Sequence, residues 1–142
     1  MTSNATIQRR YAGVQTFFKD ACLFLSLSSI AEQVADTKVD ILGTYAYCKQ
    51  QGYINSNDDM TVEGQCRYLR DLTGKLWTRE VVQQLPSPLP KNVFVVEKWK
   101  NAATGKQHFR RDFVDSLRNS LTVKEGKLIE YYLYKMEDKT DE

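Results

Sequence analysis

Between Ala21 and Val34 the apolar residues Leu23, Phe24, Leu25, Leu27, Ile30, Ala31 and Val34 fall on nearly every face of a helix. A helix without a polar stripe has no solvent side and belongs inside a core. Asp20 stands directly before it, where a carboxylate can accept the free N–H groups of the first turn. In "DTKVDILGTYAYCKQQGYI" the positions Val39, Ile41, Leu42, Tyr45, Ala46 and Cys48 recur at helical spacing, and Gly52 supplies a stop. "NSNDD" reads as a turn, and "MTVEGQCRYLRDLTG" as a third, shorter helix ending near Gly74. The stretch "LPSPLPKN", Leu85 to Asn92, cannot continue a helix and divides the chain. Beyond it the period changes. "NVFVVEKWK" predicts a strand, "NAATGK" a Gly-containing hairpin connection, "QHFRRDFVDSL" an extended segment, and "KLIEYYLYKM" another strand after the turn at Gly126. The expectation is one α+β domain over residues 1–142. Its helical part runs over about 1–85 and its sheet part over about 92–136, with a central buried helix packed on an antiparallel sheet. The charged end "EDKTDE" is expected to fray.

The bulk numbers leave that picture intact. With 142 residues, 42% hydrophobic and 27% charged, the chain can bury a single core and does not read as disordered or fibrous. A net charge of +2 is too balanced for the field that non-specific nucleic-acid binding needs, so nucleic acid is not an expected partner. The longest apolar run, "ACLFLSLSSIA", falls far short of the ~20 residues that span a bilayer. It also lies too deep behind Arg9, Arg10 and Lys19 for a cleaved signal, so a soluble, cytoplasmic protein without membrane partners is expected. Cys22, Cys48 and Cys66 are odd in number and widely spaced, which fits neither a disulfide framework nor a CxxC pair. Zinc held by these three and His108 lacks paired ligands on a short knuckle. No metal and no cofactor are expected.

Chemistry enters through Cys22. A thiol at the start of a helix feels the positive end of the macrodipole and the unsatisfied N–H groups there, both of which favour thiolate. Cysteine catalysis also needs a base, and the chain holds one imidazole, His108, in its sheet-forming half. An acceptor to orient that imidazole is available in Asp112, Asp115 or Asn119. Gln15, seven positions before Cys22, carries an amide that can serve an oxyanion together with the Cys22 N–H.

This order, Gln15, then Asp20 two before Cys22 at the head of a buried helix, then His108 on a later strand with Asp after it, resembles the papain-like cysteine peptidase superfamily. Its compact branch, which includes the bacteriocin-processing peptidases, is the nearest in kind. "HFRRDFVDSLRNSLTVKEGKLIEYYLYKM" is similar to the "HF…DP…G…Y" ending of that branch. Cys22, Phe24, Ser26, Leu27, Ile30, Ala31 and Glu32 also resemble the "C-x-F-x-S-L-x-x-I-A-E" pattern of a family of small, often phage-borne proteins. The resemblance extends from Gln15 to Met136. It implies a papain-like fold and a hydrolase acting on a protein or peptide substrate, with Cys22 as nucleophile, His108 as base, Asp115 as orienter and Gln15 as oxyanion donor. The chain departs from the pattern in four places. Gln15 stands seven rather than six before the cysteine, Ala21 directly precedes Cys22, Leu23 occupies the position where glycine commonly follows it, and only seven positions separate His108 from Asp115.

Two other readings compete. A papain-like scaffold can persist as an inert binding domain, here a phage-encoded factor acting on a host protein, because fold does not imply function. Lys98, Lys100, Lys106, Arg110 and Arg111 could instead line a nucleic-acid surface. The ordinary roles are a core thiol for Cys22, a strand imidazole for His108, a surface amide for Gln15, and packing for Tyr45, Tyr47, Tyr131, Tyr132, Tyr134, Trp77 and Trp99.

Overall fold

The computed structural model describes Thr6, residues 22–111 and residues 126–140. Among the described residues three helices, α1 (Cys22–Ala35), α2 (Ile41–Gln51) and α3 (Val62–Thr73), precede a four-stranded sheet of β1 (Lys75–Val82), β2 (Val93–Lys100), β3 (Gln107–Arg110) and β4 (Lys127–Thr140), and α1 and α3 pack on it. The class is α+β. Sheet order is β1-β4-β2-β3 and every pairing is antiparallel, so β4 runs up the middle with β1 and β3 at the two edges.

α1 is the buried helix its composition predicts: ten of its residues, Cys22, Phe24 to Ala31 and Glu32, are shut away from water. Three of them are serines, which need partners there. Ser26 and Ser28 donate to the carbonyls of Cys22 and Phe24 one turn back, each at 2.8 Å, and Ser29 donates to Ser26 O at 2.6 Å. Because these hydroxyls return their protons to the helix's own backbone, the helix carries few unmet polar groups into the core. Glu32 is spent at the other end, where Oε1 accepts the Val39 N–H at 2.9 Å and ties down the chain leaving the helix.

α2 and α3 begin and end on side-chain and glycine caps. Asp40 and Thr61 accept the N–H groups of Gly43 and Gly64, and Gly52 and Gly74 take the left-handed conformation just past the last turns. Of the apolar face expected for α2, Val39 and Cys48 are buried and Ile41 and Tyr45 pack against the core, whereas Leu42 is 71% exposed and Ala46 is exposed. Polar contacts add to this, with Tyr47 and, just past the helix, Tyr53 both donating to Asp71 Oδ2 at 2.7 Å.

The boundary between helical and sheet parts falls at Gly74 rather than near residue 85. The segment "KLWTREVV" is strand β1, because Gly74 ends α3 and the following residues alternate Trp77, Arg79 and Val81 on one face with Thr78, Glu80 and Val82 on the other. The Pro-rich residues 83–92 therefore link two strands, not a helix to a strand. At the far end Glu137 to Thr140 do not fray. They extend β4 until Thr140 pairs with Lys75. The hairpin expected at "NAATGK" is present: Asn101 N–H donates to Lys106 O, Gly105 N–H to Asn101 O with Gly105 at φ 72°, and Asn101 Oδ1 accepts the N–H groups of Ala103 and Thr104.

The core lies between the helices and one face of the sheet. Phe24, Leu25, Leu27 and Ile30 of α1 and Tyr68 and Leu69 of α3 meet Trp77, Phe94, Val96, Tyr132 and Tyr134 of the sheet. Tyr68 and Ser28 hydroxyls are 2.6 Å apart, and Tyr134 OH donates to Gln65 Oε1 at 2.6 Å, so the layers are joined by buried hydrogen bonds as well as by apolar contact. Among the described residues no helix is long and apolar enough to cross a membrane.

Candidate functional site

Cys22 is the first residue of α1, and α1 packs against the outer strand β3. An edge strand has N–H groups that its single neighbour cannot satisfy. One of these, the Phe109 N–H, is taken by the Cys22 sulfur at 3.3 Å, a contact between residues 87 positions apart. Two residues further on, the buried Arg111 fixes the same strand to the same helix. Its Nη1 donates to Ser29 Oγ at 3.1 Å and its Nη2 to Gln33 Oε1 at 2.8 Å, with the guanidinium over the Phe94 ring. β3 and the residue just past it are thus pinned to α1 at three points, Cys22, Ser29 and Gln33, spread over about three turns.

The Cys22 sulfur thus stands at a helix N-terminus and accepts a backbone N–H from the edge strand. Cys22 is 7% exposed. The other two thiols sit in different surroundings. Burial, reinforced by the Asp71 charge, pushes the Cys48 thiol up to about 12, and burial raises Cys66 despite the opposing charge of Arg79. All three are free, and among the described residues no group of three His, Cys, Asp or Glu side chains comes together as metal ligands.

His108 lies next to Phe109 on β3 and is 5% exposed. Side chains alternate along a strand. Phe109 packs on Tyr132 on the helix-facing side, with ring centroids 5.4 Å apart, so His108 shares the opposite face with Arg110. There the β2–β3 register sets Trp99 directly across from His108 and Glu97 across from Arg110. Glu97 Oε1 accepts both the Trp99 indole N–H at 2.9 Å and Arg110 Nε at 2.7 Å, while the Arg110 guanidinium lies 5.0 Å over the indole. The structure therefore joins Cys22 to the strand of His108 through the backbone of Phe109, while strand alternation sets the His108 side chain on the sheet face of Trp99, Glu97 and Arg110, opposite the face that carries α1. Gln15, Asp20, Asp112, Asp115 and Asn119 lie outside the described residues.

The basic residues considered as a nucleic-acid surface are largely engaged within the fold. Lys98 pairs with Glu130 at 3.5 Å, Arg110 with Glu97, and Arg111 is buried against α1. Elsewhere a groove of about 240 Å³ opens between α2 and α3, lined by Asp40, Gly43, Thr44, Tyr47, Asp71 and Leu72. Burial, followed by the bond to Asp71, pushes the Tyr53 phenol beside it up to about 12.

Sequence reasoning singled out neither the Phe109 N–H nor the Glu97–Trp99–Arg110 group. A backbone donor leaves no mark in residue identity. The group did leave one: counting outward from the "NAATGK" connection pairs Lys100 with Gln107 and then Trp99 with His108, the register found. Compared with family models, with curated proteins and with solved structures, the chain gives no match.

Proposed function

We propose that the chain is a papain-like, cysteine-dependent hydrolase, a peptidase or amidase of the cytoplasm acting on a protein or peptide substrate rather than on nucleic acid. The observation that carries this reading is the Cys22 sulfur, at the head of a buried helix, accepting a backbone N–H from the residue next to His108. In the mechanism, the His108 imidazole reaches the thiol around the open edge of β3 and takes its proton, and the Cys22 thiolate attacks the carbonyl carbon of an amide or ester. The negative charge on the carbonyl oxygen is met by the Gln15 amide and the Cys22 N–H, with Asp115 holding the imidazole. His108 then returns the proton to the leaving amine or alcohol, a thioester to Cys22 remains, and water activated by His108 hydrolyses it to the acid and free thiol.

The test is acyl transfer from p-nitrophenyl acetate. The reading predicts a burst of p-nitrophenol stoichiometric with protein, a mass increase of one acetyl group on the peptide containing Cys22, and loss of both in Cys22→Ser. A normally folded protein that shows no adduct on Cys22 contradicts it. The second reading, an inert binding domain on the same scaffold, draws on the deep burial of both Cys22 and His108. It predicts that Cys22→Ser leaves the cellular effect of the protein unchanged.

A further inference from the structure

We propose that Glu97 is a positioning residue for His108 and acts through Trp99. Directly paired side chains in an antiparallel ladder have Cβ atoms about 4.5–5.5 Å apart, so the Trp99 indole is the cross-strand neighbour of the imidazole. An indole near the margin of a sheet has rotamer freedom to lose, and Glu97 removes it. One carboxylate oxygen holds the indole N–H at 2.9 Å and Arg110 Nε at 2.7 Å, and the Arg110 guanidinium covers the ring at 5.0 Å. The carboxylate thus fixes the indole by its polar edge, while the cation it has recruited fixes the indole by its face. With the Glu97 and Arg110 side chains only 19% and 15% exposed, the clamp is sheltered from the solvent screening that weakens surface pairs.

His108 therefore faces a wall that does not move. Deprived of Glu97, Trp99 regains its other rotamers, and water and alternative imidazole rotamers gain access to the same space. The consequence for catalysis rests on the hydrolase reading: an indole held still narrows the set of rotamers from which the imidazole reaches the thiol at the edge of β3. The cross-strand pairing of His108 with Trp99 does not depend on that reading.

His108 is the only histidine, so its ring Hε1 gives one proton NMR signal that needs no assignment by mutation. At one fixed pH the signal is expected to be displaced by the indole ring current from the position of a free imidazole. Trp99→Leu removes the displacement and Glu97→Ala removes most of it. Glu97→Gln retains it, because the amide oxygen accepts the same two N–H groups. If Glu97→Ala does not fold, Trp99→Phe, which keeps a ring but offers Glu97 no N–H, is expected to collapse the displacement in its place. A signal unchanged in Glu97→Ala, or unchanged in Trp99→Phe where that variant stands in, overturns the proposal. So does a signal lost equally in Glu97→Gln. The readout needs no substrate, so absence of acyl transfer with the displacement intact counts against the hydrolase reading alone.

Discussion

Removing one hydroxyl from Tyr134 tests how the helical layer is joined to the sheet. Tyr134 is fully buried on the central strand β4, and its OH donates to Gln65 Oε1 of the equally enclosed α3 face at 2.6 Å. Tyr134→Phe keeps the ring and its packing but leaves the Gln65 oxygen without that donor, a loss of about 1–3 kcal/mol. Gln65→Leu leaves the phenol without its acceptor and is expected to cost about the same. Converting both partners to apolar groups removes the orphan in each case, so the double variant should lie well above the sum of the two losses. For 142 residues the unfolding entropy is about 0.3 kcal/mol/K, and a loss of 2 kcal/mol therefore lowers Tm by roughly 7 °C. Urea unfolding followed by far-UV circular dichroism, with the m-value checked for constancy, measures all four proteins. Single variants at wild-type stability, or two losses that simply add, would refute the claim that this buried bond ties the layers together.

Gly64→Ala should destabilise more than Gly43→Ala. A Cβ at Gly64 would lie 2.6 Å from the Tyr53 Cα, a backbone atom that cannot step aside, whereas at Gly43 it meets only the Asp40 carboxylate. A loss of about 1–3 kcal/mol is expected at Gly64, read by the same unfolding curves. Thr61→Ala removes the cap on Gly64 N–H and should cost about 0.5–2 kcal/mol. Stability should also fall at alkaline pH through Cys48, whose thiol is held at about 12 in the fold against an ordinary value of 9.0. The folded state keeps this proton where the unfolded chain sheds it, so the contribution is whole below pH 9 and drains away between pH 9 and about 12. Cys48→Ala should make unfolding free energy decline less steeply over that window, and an unchanged slope would remove Cys48 as the cause.

How much of this was legible in the residues follows from where the information resides. α1 was readable because an all-apolar helix has only one place to go, and Gly52 and Gly74 marked helix ends because glycine takes the positive φ found there at little cost. β1 was missed because its burial alternates weakly, with Leu76 and Val81 both exposed on an edge strand, and because the prolines ten residues later gave a louder signal. Leu42 was misplaced because helical spacing names a face without saying how far another layer covers it; Ile41, Tyr45 and Cys48 meet the core while Leu42, at the margin of that face, stays exposed. At the site, Cys22 and the His108 strand could be named from residue type. That the sulfur would meet a main-chain N–H of Phe109, and that Arg111 would turn inward to Ser29 and Gln33 instead of outward, are outcomes of tertiary packing that residue type does not carry.

The central claim is that Cys22 and His108 form a working thiolate and imidazole pair, and the most direct test is the pH dependence of Cys22 alkylation by iodoacetamide in the folded protein and in His108→Ala. Adduct formation is read at the peptide containing Cys22, so that Cys48 and Cys66 serve as internal references. The account predicts rapid modification of Cys22 already at pH 6, slowed in His108→Ala, with Cys48 protected until the protein unfolds. Cys22 remaining unreactive until unfolding, or reacting at the same rate with and without His108, would contradict it and leave the sulfur as a packing atom that closes the edge of β3.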